Sequence, residues 1–249
     1  MQKIEQKIDA FFCKIKHIRL TTPVAIIVGS FIISAGIVSY GFAKSSNFNP
    51  LILQPDFSGK PISQEKYIAG INKKVFFVEY ADSECPYCVR FHPTFEQIKK
   101  DYGDKIGIVY RYFPLTEIHK NSNKEAEAIE CAGFVGGTEK RFAYIKTLYD
   151  YKNKNQTTLL PITAKEDFAK EIGIDVAVFS KCVNDGTFTK FVADSVNDGV
   201  EAGVNGTPTS FILIKDGKNY KTISAPVNFA PYSTVKKLLD QALYISNTI

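Results

Sequence analysis

The chain has 249 residues, 45% of them hydrophobic, with 31 basic against 26 acidic side chains, five Cys and no Trp. That balance excludes a disordered chain, which is poorer in apolar residues, and five cysteines are too sparse for a small disulfide-stapled scaffold. Of the net charge of +5, a share of +3 falls within residues 1–20, so the rest of the chain carries no nucleic-acid footprint.

The first element is apolar. From Leu20 to Ala43 no residue is charged. As a helix rising about 1.5 Å per residue, that run crosses a hydrocarbon core of about 30 Å, so residues 21–43 are expected to form a transmembrane anchor. Lys14, Lys16 and Arg19 precede it and Lys44 alone follows closely, which puts the N-terminus in the cytoplasm and residues 44–249 outside. A cleaved signal peptide is the competing reading, because Gly41-Phe42-Ala43 offers small residues at suitable spacing. The apolar stretch is, however, longer than the roughly 7–15 residues of a signal core. Either way the main domain faces the periplasm or the cell exterior. Within the basic segment 1–20, Ile4, Ile8, Phe11, Phe12, Ile15 and Ile18 recur at helical spacing. They suit an amphipathic helix on the cytoplasmic leaflet or a plain extension of the anchor. Residues 44–65 hold three prolines and no helical period, and read as a linker.

Beyond the linker, Val75–Ala81 is expected to be a strand, Cys88–Asp101 a helix and Ile106–Phe113 a second strand. Residues 122–202 are dominated by helical patterns, with breaks near Gly136-Gly137 and Asn184-Asp185-Gly186. Strands at Thr209–Ile214 and Tyr220–Ser224 flank Asp216-Gly217, a hairpin signal, and Tyr232–Ser246 closes as an amphipathic helix. This order gives an α/β domain over about 66–249, with a helical insertion at about 120–187.

Cys85-Pro86-Tyr87-Cys88 follows a strand and opens a helix. A sulfur at a helix N-terminus faces unpaired N–H groups and the positive end of the helix dipole, which favour thiolate, the nucleophilic form. Cys88 lies on the same helical face, about 5–6 Å away between Cβ atoms, near enough for a disulfide after modest adjustment. Pro86 suits the first turn, where its missing N–H has no helical partner to lose. The spacing suggests a redox couple, with Cys85 the exposed attacking sulfur and Cys88 the shielded resolving one. Half of a zinc site competes, with His92 as a third ligand, but no second cysteine pair supplies the rest and no bound metal is expected. A lone His92 in a first helical turn is expected to be solvated. An inert disulfide would be unusual over so short a span, which constrains the unfolded chain least.

Glu79 interrupts an apolar strand that is expected to be covered on both faces, and alternation places it opposite Val78 and Tyr80. Buried carboxyls have raised pKa values and exchange protons near neutral pH, which suggests a proton acceptor for Cys88. An edge-strand Glu reaching solvent is the alternative. Further on, Gly203–Phe211 reads GVNGTPTSF. A proline at the mouth of a strand belongs at an edge or a special turn. A cis Thr207-Pro208 bond would open the Thr207 backbone to an extended substrate strand, and the residues alone leave cis and trans open.

Four segments together resemble the DsbA-like family of extracytoplasmic disulfide oxidoreductases: VEYADSECPYC at 78–88, YRYFPLTEIH at 110–119, AIECAGFV at 128–135 and GVNGTPTSFIL at 203–213. The resemblance implies a thioredoxin-like α/β fold with an inserted α-helical subdomain, here preceded by an N-terminal transmembrane helix. It implies Cys85 as nucleophile, Cys88 as resolving thiol and Glu79 as the buried acid. Pro208 becomes the cis-proline with Thr207 before it, and Pro86, Tyr87, Thr207 and Pro208 face substrate. Cys-Pro-Tyr-Cys is also the glutaredoxin dipeptide, but those proteins are much shorter, cytosolic and lack the helical block. Some relatives carry a second disulfide at the spacing of Cys131 and Cys182, so a structural bridge is implied there, with two free buried thiols as the alternative. Cys13 then stays unpaired on the cytoplasmic side. Two departures stand out. Arg141-Phe142-Ala143-Tyr144 lies where many relatives carry an aromatic pair with Trp, implying altered packing of the insertion. Gly199 falls inside a helix where a stronger helix former is expected.

These readings point to a single-pass membrane protein that introduces disulfides into exported proteins with free thiols. Its redox-active disulfide Cys85–Cys88 would serve without any other cofactor. The resemblance implies reoxidation by a membrane partner of the quinone-linked DsbB or VKOR-like kind. The rivals are a reductase or isomerase of the same fold, a non-catalytic holdase displaying substrate at Thr207-Pro208, and a metal carrier. No nucleotide-binding Gly-rich loop or hydrolase triad stands out.

Overall fold

Val75–Ala81, the apolar run VFFVEYA, forms β1, and every one of its seven residues is buried. It sits inside a four-stranded sheet of order β2-β1-β3-β4. β2 (Gly107–Tyr112) runs parallel to β1, while β3 (Thr209–Asp216) pairs antiparallel on the other side and forms a hairpin with β4 (Asn219–Thr222). The computed structural model describes residues 57–59, 69–224 and 226–248. The expected cytoplasmic segment, anchor and Cys13 lie outside these residues, as does all of the linker except Phe57–Gly59. Among the described residues no helix is long and apolar enough to cross a membrane.

Strand alternation separates two cores. On one face Phe77 and Ala81 join Ile108, Ile212 and Ile214 against α1 (Pro86–Tyr102) and α6 (Tyr232–Ser246). On the other, Phe76, Val78 and Tyr80 pack with Val109, Phe113, Phe211 and Leu213. A parallel β1–β2 pair joined through α1 is the strand–helix–strand unit expected from the sequence. The hairpin tightens to the two-residue loop Gly217-Lys218, with Gly217 at φ 60°, so β3 runs on to Asp216.

The helical insertion comprises α2 (Ser122–Asn155), α3 (Ala164–Glu171) and α4 (Val176–Asn184). The expected break in α2 falls at Gly137, whose φ of 76° and ψ of −171° kink two helical stretches against each other. Cys131 and Cys182 are joined, tying α2 to α4 across 51 residues of chain. Closing a loop of that length restricts the unfolded chain by about 4 kcal/mol.

Neither departure from the family pattern is a packing fault. Arg141 is buried, with Nε donating to Glu130 Oε1 at 2.7 Å and Nη2 donating to the Tyr110 carbonyl and the Tyr112 hydroxyl, both at 2.8 Å. It fastens the far half of the kinked α2 to β2. Arg141→Met leaves Glu130 buried without its cation and should lower the unfolding free energy by about 3–5 kcal/mol, read from the urea midpoint. Gly199 lies in α5 (Thr189–Glu201), where a Cβ would sit 2.6 Å from the Phe113 ring and 3.2 Å from that of Tyr80. Close approach of α5 to the sheet, not helix propensity, decides that residue. An ion pair secures the same contact: Arg111 Nη1 lies 2.9 Å from Asp198 Oδ2, and Tyr80 OH donates to that same oxygen.

Candidate active site

The C-terminal end of β1 leads through Asp82-Ser83-Glu84 to Cys85, the N-cap of α1, with Pro86 opening the helix. The loop folds on itself and is then gripped from outside. Asp82 Oδ1 accepts from the Glu84 N–H at 2.8 Å, and its carbonyl accepts from the Cys85 N–H at 3.1 Å. Asp82 Oδ2 accepts from the Leu115 N–H at 2.7 Å and contacts His119 Nδ1 at 2.8 Å. The Glu84 carboxylate receives the Asn121 N–H and side-chain amide at 2.8 and 3.0 Å. From the end of α2, the fully buried Lys152 donates to the Ser83 carbonyl at 3.0 Å and to Glu125 Oε2 at 2.6 Å. Asn153 beside it donates to the Val89 carbonyl at 2.9 Å. These hydrogen bonds tie the loop to the 115–121 segment and to both ends of α2.

Cys85 and Cys88 are free thiols in this structure. Cys85 Sγ lies 3.3 Å from the Thr207 carbonyl, and the Thr207-Pro208 peptide is cis. The expectation of an exposed attacking sulfur needs correction, since Cys85 is only 4% accessible, against 1% for Cys88. The Thr207 loop, 122 residues later in the chain, covers it. Pro86 and Tyr87 remain at the surface beside it.

The two thiols are held at opposite ends of the acidity scale. The hydrogen bond from Cys88 is the largest influence drawing Cys85 down to about 5, assisted by Thr207 and by the N–H groups of Cys88 and Tyr87 against a cost of burial. Burial pushes the Cys88 thiol well up, and hydrogen bonding to Cys85 and the Glu79 charge add to that rise. One sulfur is a thiolate at neutral pH and its partner a thiol. The expected consequence is a reduced form more stable than the oxidised form at pH 7. The sign follows from a folded-state pKa below the unfolded value: the gain is complete only above about 8.5 and is lost as pH falls through about 5. Urea midpoints of the two redox forms should therefore converge below pH 5.

Glu79 is 3% accessible on the central strand, in register with Tyr110 of β2 and Ser210 of β3. The edge-strand alternative is excluded. Its Oε2 has no hydrogen-bond partner, and burial, with a smaller push from Glu96, raises the carboxyl to about 8. The paired hydroxyls of Tyr110 and Tyr149, 2.8 Å apart, feel its charge, as does Cys88. His92 also departs from expectation. It is buried, stacked on Tyr149 at 4.5 Å and on Phe95 at 5.8 Å, and burial lowers it to about 3, so the ring is neutral. Among the described residues no three His, Cys, Asp or Glu side chains converge as a metal site.

Asp82, Glu84, Glu125 and Lys152 were not singled out from the sequence. The two acids just before Cys85 give a local signal for Asp82 and Glu84, and none for Glu125 or Lys152. The arrangement as a whole can carry thiol–disulfide exchange: a stabilised thiolate, a shielded second thiol and a buried carboxyl that titrates near neutrality.

Residues 68–237 match the family described as Thioredoxin. Among curated proteins, the Na(+)/H(+) antiporter NhaA 1 of Salinispora arenicola is 30% identical over 138 residues, covering 55% of this chain and 20% of its own length. Its namesake from Mycobacterium sp. strain KMS is 29% identical over 166 residues, covering 65% and 25%. The chain thus spans a fifth to a quarter of the length of these relatives. Among solved structures, Wolbachia pipientis alpha-DsbA1 aligns with a TM-score of 0.62 at 21% identity, covering 80% of this chain and 98% of that one. Oxidised BdbD from Bacillus subtilis gives 0.62 at 20%, covering 77% and 100%. At such identities the likeness is one of fold. With more than half its length matched and a cysteine pair set at the start of α1, the chain belongs to the thioredoxin family, in the helix-inserted form of the fold seen in DsbA-like proteins.

Proposed function

We propose that this chain is a membrane-anchored, extracytoplasmic thiol oxidase that introduces disulfides into exported proteins. The observation that carries the reading is the depression of Cys85 to about 5 beside a Cys88 held protonated. A thiolate stabilised in the reduced form makes the disulfide a readier oxidant. A substrate thiolate attacks Cys85 of the Cys85–Cys88 disulfide. The bond between the two enzyme sulfurs breaks, and Cys88 departs and takes up a proton that Glu79 supplies. A second substrate thiolate then attacks the substrate sulfur of the mixed disulfide, releasing Cys85 as thiolate. The substrate has lost two electrons and the enzyme pair has gained them. Thr207 and Pro208 at the mouth, with Pro86 and Tyr87 beside them, receive the extended substrate segment.

The uncharged run at 21–43 and the lysines and arginine before it support a single-pass anchor with its N-terminus in the cytoplasm. Reoxidation falls to a quinone-linked membrane partner of DsbB or VKOR-like kind, whose effective concentration tethering raises. Equilibration of the purified full-length chain with glutathione buffers tests the redox direction. An oxidase gives a potential above about −180 mV, whereas a value near −270 mV assigns a reductase and overturns the reading.

A further inference from the structure

Beside the sulfur pair, the rim carries a fixed cation that the exchange chemistry does not use. Tyr87 and Phe229 are half exposed and meet edge to face, with ring centroids 5.7 Å apart. The Arg90 guanidinium lies over both rings, 4.7 Å from the Tyr87 centroid and 5.5 Å from that of Phe229. Its Nε–H donates to the Pro86 carbonyl at 3.3 Å. Two rings and a hydrogen bond thus fix a long side chain that would otherwise sweep freely over an exposed helix face.

Its charge is unanswered. Lys146, Lys181, Lys190 and Lys236, all on helix surfaces, each meet an Asp four residues on. Among the described residues no carboxylate pairs with Arg90, and its Nη donors have no partner. A recess of about 400 Å³ opens next to it, walled in part by Pro86, Val89, Asn153 and Gln156. That volume accepts an amino-acid side chain. The other cation in its wall, Lys152, is already committed to Glu125 and Ser83.

We propose that Arg90 is a specificity residue: it selects substrate segments that carry Asp or Glu next to the reactive cysteine. The inference rests on the thiol exchange assigned above. A carboxylate matches the paired Nη donors of a guanidinium, which a lysine would not do, and a cation already held in place gives up little entropy on binding. Solvent exposure limits the preference to about three- to fivefold.

The test uses dithiol peptides identical except for Glu, Gln or Lys beside the first cysteine. They compete at low salt for the oxidised full-length chain in detergent, and mass spectrometry counts the products. The expected order is Glu, then Gln, then Lys, with Glu about three- to fivefold ahead of Gln and the spread collapsing at 1 M salt as charges are screened. Arg90→Gln brings the Glu-to-Gln ratio to about one, and Arg90→Glu inverts the order. Equal rates for Glu and Gln, or a Glu preference that survives Arg90→Glu, overturn the proposal. If no peptide of any charge is oxidised, the exchange reading itself fails. The Arg90 assignment is then decided by binding of the Glu and Gln peptides with Ser in place of Cys: a shift of the Arg90 Nε–H resonance with Glu alone sustains it, and no shift with either overturns it.

Discussion

Cys88→Ala should leave a protein that captures partners and cannot release them, while Cys85→Ser should lower peptide oxidation by about a thousandfold or more. The difference follows from the division of labour between the sulfurs. Without Cys88 the remaining thiolate still attacks a disulfide, forming a mixed disulfide and expelling the other sulfur as thiolate, but nothing on the enzyme resolves the product. Non-reducing gels of whole cells carrying the variant should show the chain in higher bands that vanish on reduction. A holdase would show no such bands, and their absence would end the assignment of Cys85 as nucleophile. Acidity gives a second readout. The Cys88 thiol is the foremost hydrogen-bond donor to Cys85, so Cys88→Ala should move the ultraviolet thiolate transition of Cys85 upward from about 5. Cys88→Ser, which keeps a donor, should move it less.

Glu79→Leu is expected to stabilise the fold, and increasingly so as pH rises. The carboxyl is held at about 8 in the folded protein, against an ordinary value near 4.5. The unfolded chain therefore loses this proton first. Below about 4.5 both states are protonated and the penalty is absent. It grows as pH climbs through the interval and levels off above about 8. Bookkeeping by one pKa unit per 1.36 kcal/mol gives a ceiling near 5 kcal/mol, of which relaxation and water entry leave about 2–4. Urea unfolding of the two proteins at pH 5 and pH 8.5 reads the effect directly, and an equal gain at both pH values would refute the buried-acid account. Function should run the other way. Loss of the group that exchanges a proton with Cys88 should slow release of the buried thiolate by about 10²-fold at pH 7, within the range of general acid–base contributions. Stability gained and turnover lost in one substitution would distinguish a proton donor from a packing residue.

The parts that rest on local pattern were legible in advance. Seven consecutive buried residues in β1 read as a doubly covered strand, and the cysteine pair announced both its helix and its chemistry. Gly136-Gly137 marked the kink in α2 because only a residue without a side chain adopts that φ easily. What escaped depends on contacts distant in sequence. Cys85 was expected to be open because helix starts usually are, yet Thr207 closes over it from another part of the chain. His92 seemed solvated from its place near a helix start, until α2 set Tyr149 against its ring. Lys152 sits in the stretch YKNKN, which looks like an ordinary charged helix end. Its burial makes sense only through Glu125, 27 residues earlier, and the Ser83 carbonyl 69 residues away.

That last contact bears on how such proteins can be recombined. A lysine from the inserted helices holds the turn that presents Cys85, so the insertion is no detachable ornament on a self-sufficient scaffold. Chimeras that import a foreign helical block would remove Glu125 and Lys152 together and leave the Ser83 carbonyl without its donor. Successful exchanges should be those in which turn, acid and lysine travel as one inherited unit.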